Sequence, residues 1–264
     1  MSLGERRMSW SHSILALGLI AILGVAARAD FRDLLEKRTY TDKSEAKLPY
    51  RLLKPEKIEE KMMYPLVVFL HGAGERGDDN NKQLIHGVAE FAKPEHRKKY
   101  PCFLIAPQCP TGKSWAGFGR NSKTGDAPDQ PTEPMRLTLD LIGALQKEFP
   151  IDPKRIYITG LSMGGFGTWD ALARKPELFA AAVPICGGGD ASKVSRYAKT
   201  PIWVFHGAKD TVVKPELSQK MIAALKKAGG DPKYTEYPNE AHASWVPAYE
   251  DEEMFAWLFA QARK

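Results

Sequence analysis

Apolar residues in this chain fall into two kinds of run. Short unbroken runs cover residues 65–70, 102–106, 156–160, 181–186 and 202–206. Continuous β-branched and aromatic residues of that length predict strands covered on both faces. Weaker strand candidates lie at 48–53 and 234–237. The second kind of run is longer and spaced for one face of a helix. Leu137, Leu141, Ile142 and Leu145 fall together in 133–149. Leu217, Met221, Ala224, Leu225 and Ala228 fall together in 215–228, which stops at Gly229-Gly230. Helical spacing also covers 80–92, 163–173 and 248–260. Strands and helices alternate through five or six cycles. That alternation predicts a mostly parallel sheet with helices on both faces. Residues 30–47 are charged and mixed and read as an N-terminal arm. Residues 107–131 are rich in Gly, Pro, Asp and Lys. A loop of that length in a compact domain points to function or mobility.

The first 29 residues stand apart. Arg6 and Arg7 precede an apolar stretch from Ile14 to Val25, and Ala27-Arg28-Ala29 precedes Asp30. This is the pattern of an export signal. The apolar run is short for a bilayer span of about 20 residues, which argues against a membrane anchor. We therefore expect a signal peptide at 1–29, one catalytic domain at 30–264, and a secreted or periplasmic protein with no stable membrane association after cleavage. The net charge of the chain is +6. The basic residues form no stripe with interleaved aromatics, so no nucleic-acid partner is expected. Three cysteines, Cys102, Cys109 and Cys186, leave at least one thiol outside any intrachain bridge. Cys102 and Cys109 bracket a strand, so they read either as a bridge or as small buried residues. No cysteine has metal-binding spacing with histidine, and no metal is expected.

Chemistry gathers at strand ends, where open parallel sheets bind their ligands. The run at 156–160 leads into Gly160-Leu161-Ser162-Met163-Gly164 and then into a helix. A strand–turn–helix of this kind holds its serine exposed on a strained turn. Serine at neutral pH needs a base to take its proton, and a histidine supplies one. The imidazole in turn needs a carboxylate on its other nitrogen. Asp210 follows the 202–206 strand and His242 follows the 234–237 strand. The expected triad is therefore Ser162 as nucleophile, His242 as base and Asp210 as orienting carboxylate. Asp190 is the rival carboxylate, but it follows an earlier strand. His71 and His206 end apolar strands, where a packed or turn-stabilising role is expected. Two backbone N–H groups must meet the oxyanion. Met163 and Ala73 are the candidates, with Gly74 as a second possibility to Ala73. Trp115, Phe118 and Arg120 are placed as a cleft wall or as loop anchors. Trp245 is placed as a substrate contact or as packing beside His242.

The chain resembles the α/β-hydrolase superfamily through His71-Gly72-Ala73-Gly74, Gly160-Leu161-Ser162-Met163-Gly164-Gly165, His206-Gly207-Ala208-Lys209-Asp210 and Glu240-Ala241-His242. These pieces follow the superfamily's order of serine, aspartate, histidine across residues 48–262. Within it the chain is similar to feruloyl and acetyl-xylan esterases, polyhydroxybutyrate depolymerase-like proteins and bacterial putative peptidases. Dienelactone hydrolases are similar in fold, but they carry cysteine where this chain has Ser162. The resemblance implies an α/β-hydrolase fold and a serine carboxylic-ester hydrolase working through an acyl-enzyme, with no cofactor. Its substrates would be small-molecule or polysaccharide esters. The alternatives are a peptidase of prolyl-oligopeptidase type and a non-catalytic binding protein on the same fold. Residues 187–200 are too few to build a lid domain, so an open cleft is expected.

Overall fold

The computed structural model describes Met1, residues 30–119 and residues 127–264. The expected signal segment and Arg120 lie outside the described residues. Every apolar run becomes a strand. The strands are β1 (Leu35–Thr41), β2 (Lys47–Leu53), β3 (Tyr64–Leu70), β4 (Phe103–Pro107), β5 (Ile151–Leu161), β6 (Ala181–Ile185), β7 (Trp203–Gly207) and β8 (Lys233–Tyr237). They form one eight-stranded sheet in the order β1-β2-β4-β3-β5-β6-β7-β8. Pairing is antiparallel for β1–β2 and β2–β4 and parallel elsewhere.

The helices are α1 (Val88–Ala92), α2 (Pro94–Lys99), α3 (Glu133–Glu148), α4 (Met163–Arg174), α5 (Glu216–Lys227), α6 (Trp245–Glu250) and α7 (Glu252–Phe259). Strand side chains alternate between the two faces, as the pleat requires. Leu66, Val68 and Leu70 of β3 join Met135, Leu141, Trp169 and Met221 in one core, beneath α3, α4 and α5. Val67 and Phe69 join Val88, Phe91, Tyr249 and Phe255 in the other, beneath α1, α6 and α7. The central strands are apolar on both sides because both sides are covered. The α/β-hydrolase fold and the two-faced helical cover follow from that pattern.

Three expectations need correction. The arm at 30–47 is instead a 3-10 turn (Phe31–Leu34) followed by edge strand β1. Only Leu35 of β1 is buried, so the strand carries no apolar alternation to read. The helix expected at 80–92 is a short 3-10 turn (Lys82–Leu84) and the later α1. Gly87 separates them at φ +74°, a conformation that favours glycine. The closing helix at 248–260 begins earlier and is split into α6 and α7. Asp251 divides it by accepting the N–H groups of Glu253 and Met254 as an N-cap. The cysteine alternatives also resolve: Cys102, Cys109 and Cys186 are free and buried. Burial pushes the Cys102 and Cys109 thiols up to about 12. Among the described residues no helix is long and apolar enough to cross a membrane.

The tightest join in the fold lies between α4 and β3. A methyl group on Gly164 would fall inside the van der Waals shell of the Leu70 carbonyl oxygen. Both partners there are backbone, which has no rotamer to move. Gly164→Ala should therefore destabilise the protein by about 3 kcal/mol or more. Urea unfolding followed by circular dichroism would measure it; a loss below 1 kcal/mol would contradict the close approach.

Candidate active site

Strand β5 ends at Leu161 and α4 begins at Met163, so Ser162 alone makes the reversal. It does so at φ +52° and ψ −115°, a strained backbone for a residue with a Cβ. Its N–H donates to the Ile185 carbonyl at 3.0 Å, and its own carbonyl accepts the Phe166 N–H at 3.0 Å. The side chain is left on the outside of the turn.

Asp210 lies in the turn after β7 and His242 in the loop after β8. The two turns are tied together, with the Lys209 N–H on the Glu240 carbonyl at 2.9 Å. His242 Nδ1 lies 2.7 Å from Asp210 Oδ2, and Nε2 lies 3.0 Å from Ser162 Oγ. A carboxylate can only accept, so Nδ1 carries the proton and Nε2 is free to accept from the serine. Asp210 Oδ1 accepts the N–H groups of Val212 at 2.8 Å and Val213 at 2.9 Å. The carboxylate is thus held in place on both oxygens. Asp190 plays no part in this chain. It caps the 3-10 turn Ala191–Arg196 and accepts the Ala127 N–H at 3.0 Å. His206, read from sequence as packing, is fully buried and stands 3.3 Å from Asp210 Oδ2.

Ala73 and Met163 line the same cleft as Ser162, and so does Gly74. Met163 opens α4, so its N–H has no carbonyl within the helix to meet. Ala73 opens a 3-10 turn, Ala73–Glu75. The strand end before it is pinned by His71. Its Nδ1–H donates to the Gly72 carbonyl at 2.6 Å, and Nε2 accepts the Cys109 N–H at 2.9 Å. Both ring nitrogens are used by a neutral imidazole. Burial, the largest cause, takes the His71 pKa down to about 4.

The cleft has a volume of about 400 Å³. Met163, Phe166, Phe118, Val212 and Val213 form apolar wall, and Glu75, Arg76 and Ser114 form polar wall. Trp115 is not on that wall. It is 0% exposed and lies beneath it, packed against Gly167, its Nε1–H donating to the His71 carbonyl at 3.0 Å. Of its two readings, loop anchor is the one the structure supports. Phe118 does reach the cleft. Trp245 meets the His242 ring edge-on at 5.2 Å and packs at a tilt of 51° against His86 at 5.3 Å, outside the residues that line the cleft. Glu75 and Arg76 were not singled out from sequence. Their position directly after the oxyanion residues was the available signal. Glu75 is only 8% exposed, with Oε1 3.7 Å from His86 Nε2. Arg76 Nε is buried with no hydrogen-bond partner among the described residues.

A sequence profile of the dienelactone hydrolase family matches residues 123–256, which hold Ser162, Asp210 and His242. The chain belongs to this family. A crystal structure of a thermostable esterase is 45% identical, with a TM-score of 0.83 over 88% of this chain and 64% of that one. An uncharacterized peptidase of Bacillus subtilis is 24% identical over 72% of this chain and 33% of its own length. A bifunctional acetylxylan esterase/xylanase of Neocallimastix patriciarum is 37% identical over 32% of this chain and 12% of its own. This dienelactone hydrolase family chain therefore spans from about an eighth to under two thirds of these three relatives.

Two measurements probe the site of this family member. An unfolded His71 takes a proton near pH 6.5, whereas the folded one stays neutral to about pH 4. The unfolded chain binds more protons in that window, so stability falls as pH drops from 6.5 to 4 and this loss stops below. His71 contributes about 3 kcal/mol to the fall. Asp79, held at about 2 largely by backbone N–H and side-chain hydrogen bonds, adds its own loss only at lower pH. Urea titrations at pH 7 and 4.5 should show a smaller difference for His71→Asn than for wild type. Separately, Asp210→Asn should preserve folding and lower turnover of an aryl ester by about 10⁴, while Asp190→Asn costs little. Reversed results would move the orienting carboxylate.

Proposed function

We propose that this protein is a serine hydrolase of carboxylic esters, exported from the cell, with short acyl groups carried on carbohydrate as its substrates. The observation that carries the reading is the continuous chain Ser162–His242–Asp210 at 3.0 and 2.7 Å, opening into a cleft. His242 Nε2 takes the proton as Ser162 Oγ attacks the ester carbonyl. The oxygen's developing charge meets the N–H groups of Ala73 and Met163. Collapse expels the alcohol, which takes the proton from His242, and leaves an acyl group on Ser162. Water, deprotonated by His242, attacks that acyl group. The carboxylic acid departs and Ser162 regains its proton.

The cleft's two walls support the substrate class. Met163, Phe166, Phe118 and Val213 offer an apolar site of limited depth, which suits a short acyl chain or an aromatic acid. Arg76 offers donors and Glu75 an acceptor, the groups that hold neighbouring hydroxyls of a sugar. Phe118 adds an aromatic face for a sugar ring. The acetylxylan esterase likeness points the same way. Export rests on the N-terminal pattern, Arg6 and Arg7 before the apolar stretch and Ala27-Arg28-Ala29 before Asp30.

A fluorophosphonate probe should label the native protein and not Ser162→Ala, whose turnover should fall by roughly 10⁴ to 10⁶. Aryl esters from acetate to palmitate should lose kcat/KM with length; a rise toward palmitate would indicate a lipase. Arg76→Ala should raise KM for acetylated xylo-oligosaccharides more than for aryl acetate. Peptide hydrolysis without ester hydrolysis would favour a peptidase instead. Intact mass of protein from the culture medium or periplasm should place the mature N-terminus at Asp30.

A further inference from the structure

We propose that His206 is a fourth member of the catalytic hydrogen-bond chain, a positioning residue whose Nε2–H shares Asp210 Oδ2 with His242 and draws charge from that oxygen. This rests on the serine-hydrolase reading of Ser162, Asp210 and His242. The argument begins with which atoms surround the ring. His206 Nε2 lies 2.8 Å from the Val213 carbonyl oxygen and 3.3 Å from Asp210 Oδ2. Both are acceptors, so Nε2 must carry the proton. Nδ1 lies 2.7 Å from Ser218 Oγ, a hydroxyl also 3.0 Å from the Gly187 carbonyl. His206 and Ser218 are both 0% exposed, so water cannot take the place of either.

Asp210 consequently accepts hydrogen bonds from three N–H donors, Val212, Val213 and His242, and has His206 Nε2, hydrogen-bonded to the Val213 carbonyl, 3.3 Å from Oδ2. The first two meet Oδ1, His242 meets Oδ2, and the proton on His206 Nε2 lies between the Val213 carbonyl and Oδ2. A hydrogen bond to the charged form of a carboxylate lowers its basicity. Oδ2 is the atom that holds the imidazolium of His242 when Ser162 gives up its proton. A donor on its far side therefore weakens its grip on that imidazolium and lets His242 remain a free base at lower pH. It also fixes the plane of the carboxylate, since both oxygens are held from two directions.

The other titratable groups around the ring do not supply this donor. Cys186, at the end of β6, brings its sulfur within 4.8 Å of the Asp210 and His242 ligand atoms. Burial raises its pKa, so it stays a thiol, and its S–H makes no hydrogen bond to Asp210 among the described residues. Glu236 of β8 sits in register with His206. It is engaged by Tyr234 and by Gln219 Nε2 at 2.8 Å. Burial, the largest cause, lowers the His206 pKa and favours the neutral ring, whose proton the Val213 carbonyl places on Nε2.

The test compares two polar variants. Glutamine places its amide nitrogen where Nε2 lies and keeps a donor toward Asp210. Asparagine reaches only the Nδ1 position, toward Ser218, and removes that donor. The pH profile of kcat/KM for aryl acetate should keep its acid limb in His206→Gln. In His206→Asn the limb should move to higher pH by about 0.5 to 1 unit. A merely structural role would lower the melting temperature of both and move neither limb; that result overturns the proposal. If His206→Asn does not fold, nitrogen-15 NMR of the wild-type histidine rings decides. A proton on His206 Nε2 from pH 5 to 8 is expected, and a ring protonated on Nδ1 alone overturns the assignment. Loss of fluorophosphonate labelling in Ser162→Ala tests the underlying hydrolase reading independently of either result.

Discussion

The close contact between the start of α4 and the end of β3 governs the rest of the site. No side chain separates Gly164 from the Leu70 carbonyl, so the helix must start directly against the sheet. One residue is then left to reverse the chain, and Ser162 takes a positive φ to do it. That strain, of order 1–3 kcal/mol, is held by the burial of α4 along nearly its whole length. The same geometry exposes the hydroxyl and leaves the Met163 N–H without a partner in the helix. The proposed nucleophile and one of the two proposed oxyanion donors are products of one packing constraint.

Two buried histidines frame the site by different means. His71 fastens the backbone that leads to Ala73, using one nitrogen as donor and the other as acceptor. His206 is fastened by Ser218 and Val213 and faces the carboxylate of Asp210. Neither lines the cleft, yet each is bonded to, or lies beside, a segment that carries a proposed site residue. Burial lowers the pKa of both rings, that of His71 to about 4. The hydrogen-bonding directions of His71 therefore stay fixed over the pH range in which an exposed histidine would change state.

Much of this was legible in the sequence, for a physical reason. Strands buried on two faces must be apolar throughout, so β3, β4, β5, β6 and β7 were visible as unbroken runs. The triad residues were legible because each ends such a strand. Edge strand β1 was hidden because its residues face solvent on both sides, and nothing in Glu36 to Thr41 records the pairing with β2. The break at Asp251 was hidden because a capping aspartate in a helix resembles any polar position. Trp115 misled most. A tryptophan in a polar loop beside the site suggests a wall, but its indole N–H had a buried carbonyl to meet, that of His71, and its ring filled the space beside Gly167. Glu75 and Arg76 were overlooked because a charged pair in a turn looks like ordinary surface until the turn is known to border a cleft.

The described ends of the long rim loop are both attached to the body. Trp115 is rooted on the His71 carbonyl at the end of β3, and the Ala127 N–H is tied to Asp190. These anchors are independent of the triad, since neither Trp115 nor Asp190 contacts Ser162, Asp210 or His242 through a hydrogen bond. The anchoring of the loop's described ends and the proposed chemistry therefore rest on separate sets of side chains.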